Sequence, residues 1–146
     1  MYNLRKSKKG FTLIELMVVV AIIGVLALLG LRLYTGQQEK AKNAIVKANA
    51  GTIQTLIQAE LADRPITELN TVALLTTNVF AKAGIYNPVD NVAQVACPAS
   101  EAVATAGQVW VLYTAAAGTT PAFWTINGRN ATDASNVYTV ALTARK

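Results

Sequence analysis

Glu15 stands where an acidic side chain has no ordinary structural use. Phe11 to Leu31 is apolar except for Thr12 and Glu15. A carboxylate inside a membrane-spanning helix costs on the order of 2.5–3.5 kcal/mol, and less near an end. A plain anchor gains nothing from that cost, so Glu15 is a candidate for a charge that meets a partner. Just before it, Lys9-Gly10-Phe11 joins a basic run to the apolar one. A glycine at that join leaves the backbone accessible for cleavage.

Little else in the chain carries chemistry. There is no histidine, which removes Ser-His and Cys-His catalytic arrangements and most zinc sites. Cys97 is the single cysteine, so an intrachain disulfide is excluded. Beside Pro98 it reads as a small buried apolar residue. Glu60, Asp63 and Glu68 lie near one another in sequence without the ordered spacing of a calcium loop. No catalytic residue, cofactor or metal is therefore expected.

Trp110, Tyr113, Phe123 and Trp124 could form a stacking platform for single-stranded DNA. Only Arg129 accompanies them in the hairpin region, so core packing is the better reading and DNA binding is not indicated. Asn130-Ala131-Thr132 is a glycosylation sequon, a weak signal by itself. Arg145-Lys146 reads as a solvated tail.

The elements that must position Glu15 follow from length and charge. The chain has 146 residues, enough for one modest domain plus an appendage. Residues 11–31 as a helix rise about 32 Å, enough to cross a hydrocarbon core of roughly 30 Å. The net charge of +5 is local: Arg5, Lys6, Lys8 and Lys9 precede Gly10, leaving nine basic against eight acidic residues from Phe11 onward. A basic cluster beside an apolar span stays cytoplasmic by the positive-inside rule, which sends the remainder across the membrane.

A secretory signal has a shorter apolar centre, followed by a small-residue cleavage site. Here Leu31-Arg32-Leu33-Tyr34 follows a long stretch. An uncleaved anchor is the simpler alternative, and Glu15 together with the Gly10 junction weighs against it.

The run Lys9-Gly10-Phe11-Thr12-Leu13-Ile14-Glu15-Leu16-Met17-Val18-Val19-Val20-Ala21-Ile22-Ile23-Gly24 resembles the class III signal of type IV pilins and of the pseudopilins of type II secretion. The resemblance fades after Leu31. It implies a leader over 1–10, cut after Gly10 by prepilin peptidase, with the new amine of Phe11 methylated. It implies a subunit stored among inner-membrane lipids through 11–31, then built by a pilus assembly platform into a helical homopolymer at the cell surface. The carboxylate of Glu15 would pair with the Phe11 amine of an adjacent subunit and set axial register.

The physics agrees with that pairing. A new amine has an unperturbed pKa near 7.7–8.0, and each charge is costly alone in an apolar setting. Fibres of this family serve twitching motility, adhesion and DNA uptake. A secretion pseudopilin or minor pilin is the nearer alternative, and a membrane-anchored extracytoplasmic binding module the remoter one. An enzyme is not expected.

Beyond the span, 32–64 reads as an amphipathic continuation of the helix. Val46, Ala50, Ile53, Ile57 and Leu61 recur at helical steps, while Lys42, Lys47, Asn49 and Gln54 fall elsewhere. Arg64-Pro65 is a stop. A continuous Phe11–Asp63 helix would be about 80 Å long. Gly24 and Gly30 interrupt the pattern, with Gly36 beyond. Close helix packing in a bilayer and local unwinding in a fibre are equally open readings of them. Many pilins carry proline at the position matching Arg32, and its lack here removes that reason for a kink.

Residues 65–146 read as a head. Thr67–Lys82 suggests a second helix, with Thr67 as cap and Gly84 past its end. Residues 86–91 form a turn, and 91–107 an irregular connection. Gln108–Thr114 is apolar on both faces, which suits a central or covered strand. Ala122–Asn127 is a second strand, and Asn127-Gly128 signals a turn that Asn130–Ser135 extends. Val137–Thr143 alternates, with Tyr138, Val140 and Leu142 on one face. The expected class is α+β: a long N-terminal helix, transmembrane in its front half, with its rear half packed on an antiparallel sheet of about three to four strands.

Overall fold

The computed structural model describes residues 10–133 and 135–143. Helix α1 runs Leu13–Asp63. It stops where the sequence requires: Arg64 still donates its backbone N–H to Glu60 O (2.8 Å), and Pro65 is extended at ψ 153°. The chain divides into two compact units between Gln37 and Gln38.

In the second unit the rear of α1 carries a buried stripe. Val46, Ala50, Ile53 and Ile57 are fully buried, while Leu61 is half-buried. The spacing of 4, 3 and 4 residues keeps these side chains on one face of a 3.6-residue helix. They pack in one core with Leu69, Leu75, Val79, Phe80, Val109, Val111, Trp124 and Ile126.

The stretch after Pro65 is more broken than the expected single helix. A 3₁₀ turn spans Ile66–Glu68, followed by α2 (Val72–Leu75), a π-type stretch (Thr76–Phe80) and α3 (Ala81–Ala83). The cap is Thr71, not Thr67: its hydroxyl accepts from Leu74 N–H at 3.3 Å. Leu69 explains the break. It is fully buried, its carbonyl accepts from the Trp124 indole N–H at 2.9 Å, and its backbone leaves the helical region at φ −130° and ψ 12°. Gly84 does end the segment, in the left-handed conformation at φ +59°.

The sheet is antiparallel with order β1-β2-β3: β1 (Val109–Thr114), β2 (Phe123–Arg129) and β3 (Asn136–Thr143). One expectation fails here. Asn127-Gly128 makes no turn; both residues lie in β2, paired with Trp110 and Val109 on one side and with Thr139 and Tyr138 on the other. Gly128 is needed because α1 passes directly over it: a Cβ there would sit 2.7 Å from Val46 Cγ1. The connection to β3 is made by Asn130–Ser135, where Ser135 O accepts from Asn130 N–H.

β1 is an edge strand, so of the two readings of its apolar faces, central or covered, the central one does not apply. Its apolar character has another cause. The irregular connection folds back so that the Gln94 amide brackets Val109: Oε1 accepts from Val109 N–H at 3.0 Å, and Nε2 donates to Val109 O. Cys97 Sγ lies over Val111 O at 3.8 Å. The strand is thus covered without being central.

Alternation in β3 holds: Tyr138, Val140 and Leu142 are half-buried, and Thr139, Ala141 and Thr143 exposed. The Tyr138 hydroxyl donates to Gln54 Oε1 of α1 at 2.9 Å. A long apolar helix and a three-stranded antiparallel sheet make the fold α+β.

Candidate functional site

Residues Gly10 to Glu15 form the start of α1. Gly10 and Phe11 are exposed and lie ahead of the helix, with Phe11 78% exposed. Among the described residues, a Cβ on Gly10 would meet nothing within 4 Å.

The next four residues form a reciprocal cap. Thr12 Oγ1 accepts from Glu15 N–H at 3.3 Å. Glu15 Oε2 accepts in return from Thr12 N–H at 2.9 Å and from Thr12 Oγ1–H at 2.7 Å. This is a capping box, in which two donors orphaned at a helix start are satisfied together. Its sequence signal is Thr12-Leu13-Ile14-Glu15 before an apolar run. Thr12 is the residue that sequence reasoning passed over.

Gly10 and Phe11 thus lie just ahead of the first turn, and Glu15 is within it. Gly24 and Gly30 are not part of that group; both are helical within α1, and a Cβ added to either would meet nothing within 4 Å. Around and beyond the cap, Leu13, Ile14, Met17, Ile22, Leu28 and Leu31 are all more than half exposed. The helix is long and apolar enough to cross a membrane by length and composition. An apolar face of that extent marks an interaction surface.

The other candidates take structural places. Arg64 bonds Glu60 (2.8 Å) and Glu68 (2.7 Å), and Lys82 reaches Glu60 at 2.7 Å. The hydrogen bond from Lys82, aided by the charge of Arg64, holds the Glu60 carboxyl below its ordinary value. These carboxylates are spent on ion pairs, and Asp63 is in none of them. Trp124 is fully buried and Trp110 nearly so; Tyr113 tilts against Trp124 with ring centroids 5.3 Å apart. Such aromatics cannot serve as an open stacking platform.

Arg129 Nη1 is engaged with Glu101 O and Ala104 O. Cys97 is buried, and burial pushes its thiol up to about 11, which makes it inert. Asn130 of the sequon folds its side-chain oxygen onto Thr132 N–H and hydroxyl, each at 3.2 Å. The basic leader residues Arg5, Lys6, Lys8 and Lys9, and the Arg145-Lys146 tail, lie outside the described residues.

Residues 5–31 match the family described as "Prokaryotic N-terminal methylation motif". A type IV major fimbrial protein FimA of Dichelobacter nodosus is 36% identical over 81 residues, covering 56% of this chain and 52% of the relative. The fimbrial protein EcpB of Eikenella corrodens is 47% identical over 56 residues, covering 38% of this chain and 35% of the relative. The type II secretion system core protein G of Klebsiella michiganensis is 33% identical over 89 residues, covering 59% and 63%. The chain spans about half or less of the length of the fimbrial relatives cited. No solved structure matches. With the methylation motif at the head of a long apolar helix, and fimbrial relatives among the proteins it matches, the chain is similar to type IV pilins over its N-terminal part.

Proposed function

We propose that the chain is a structural subunit of a type IV pilus-like filament. In this reading, prepilin peptidase cuts after Gly10 and the Phe11 amine is methylated. The subunit waits in the inner membrane with its head on the far side, and is then polymerised by an assembly platform into a surface fibre. The observation that carries the reading is the exposed apolar face of α1, headed by a carboxylate and lying within the methylation motif. One heterologous contact repeated without closing builds an open fibre. The apolar face supplies its adhesive, and Glu15 supplies a charge for the Phe11 amine of a neighbour. Motility, adhesion and DNA uptake are roles such a fibre would serve.

Mass spectrometry of the membrane-held chain tests the first step. The expected species starts at Phe11 and carries one extra methyl group. The same full-length mass with and without prepilin peptidase would overturn the reading.

The secretion-system relative favours a second reading, a pseudopilin of a type II secretion machine, since it covers more of its own length than the fimbrial relatives cited. Deleting the gene separates the two: loss of surface filaments supports the pilus, and retention of normally exported proteins inside the cell supports the pseudopilin.

A further inference from the structure

The capping box has a geometry that bears on assembly. Both hydrogen bonds from Thr12 converge on one oxygen of Glu15, Oε2. Among the described residues the other oxygen, Oε1, accepts none. The carboxylate is therefore held at one end and presented at the other. We propose that Thr12 is a positioning residue for the intersubunit contact: it fixes the Glu15 side chain so that Oε1 faces outward to accept the amine of a neighbouring chain. The inference rests on the Glu15–Phe11 pairing proposed above and adds the residue that prepares it.

Three features of the chain support this. First, the cap survives processing. Cleavage between Gly10 and Phe11 leaves the Phe11–Thr12 peptide intact, so the Thr12 N–H remains a donor. Methylation falls on the Phe11 nitrogen and does not touch it. Second, the hydroxyl acts in both directions, accepting from Glu15 N–H while donating to Oε2. A glutamate free to rotate loses side-chain entropy when it docks, and a glutamate already held loses less. Third, in an apolar setting a carboxylate with no donors is costly. Two donors from its own helix let the stored subunit keep the charge without a partner and without losing the free oxygen.

The test uses the full-length chain in its own assembly machinery, with fibre yield expressed per processed membrane-held subunit, so that any effect on cleavage is divided out. Thr12→Val keeps shape and removes the hydroxyl; Thr12→Ser keeps the hydroxyl. The expected result is a fall of about fivefold for Thr12→Val, the equilibrium factor for loss of a typical N-cap, and a yield within about twofold of wild type for Thr12→Ser.

A second measurement reads the contact itself. In the detergent-solubilised full chain labelled at glutamate, the Glu15 carboxyl carbon signal should move in Thr12→Val and return in Thr12→Ser. An unmoved signal, or a wild-type yield in Thr12→Val, overturns the role of Thr12. Normal yield in Glu15→Val overturns the pairing instead, so the two failures are distinct.

Discussion

Gly128 in the central strand lies directly under Val46 of α1, so close that a methyl group on it would come within 2.7 Å of Val46 Cγ1. A helix and a strand rarely approach this closely without a glycine, and the contact sets how the rear of α1 beds on the sheet. Gly128→Ala must displace one of them. It should destabilise the head by about 1–3 kcal/mol, measured by chemical denaturation of the detergent-solubilised chain. Val46→Ala in the same chain should recover part of that loss by vacating the space.

Ile53 and Ile22 are the same residue type on one helix with opposite surroundings. Ile53 is fully buried, and Ile22 is 55% exposed. Ile53→Ala should cost about 2–5 kcal/mol of head stability. Ile22→Ala should leave the denaturation midpoint of the head unchanged and act only on fibre yield. Equal effects on the midpoint would refute the division of labour along α1.

Glu60 gives the head an acid limit. Its carboxyl is held below the ordinary value of 4.5 by Lys82 first and by Arg64 in addition. A group depressed in the folded state contributes stability that is fully present above its unfolded value and is lost as pH falls through the folded one. The head should therefore lose stability as pH drops below about 4.5, and Glu60→Gln should flatten that part of the profile. At neutral pH the substitution should cost no more than about 1 kcal/mol, as for other half-exposed ion pairs.

Gln94 is the side chain that brackets Val109 at the edge of β1. Gln94→Ala would leave the Val109 N–H without its acceptor, at about 1–3 kcal/mol. Hydrogen exchange at Val109 should accelerate sharply, while Ile126 in the central strand keeps its protection. Unchanged exchange at Val109 would show that other groups cover that edge.

These contacts also mark how far the sequence could be read. Val46, Ala50, Ile53 and Ile57 were legible because helical periodicity and burial follow one rule, with no need to know what lies opposite. The alternation of Tyr138, Val140 and Leu142 was legible for the same reason. Asn127-Gly128 misled because the turn signal is local, whereas the reason for that glycine is Val46, far away in the chain. Gln108–Thr114 was legible as central or covered but not as which of the two, because apolar residues on both faces indicate cover, not what provides it. A folded-back loop covers the first half of this strand, Val109 to Val111.

Thr71 replaced Thr67 as a cap because the buried Leu69 fixes where the short helix can start. At the site, Glu15 was evident from its charge alone. Thr12 carried a plain capping signal and went unread, since a threonine beside an apolar run looks like a minor polar interruption.

The bracket of Gln94 around Val109, with Cys97 behind it, has a bearing on what the chain does in a crowd. An uncovered edge strand is a template on which another strand can grow, and it leads toward amyloid-like stacking. A protein whose adhesive face lies on one helix is harmed by a second adhesive on its sheet, because the two would compete and branch. An amide side chain on Val109 takes the first pairing position of that edge, which hinders strand addition there while association through the helix stays open.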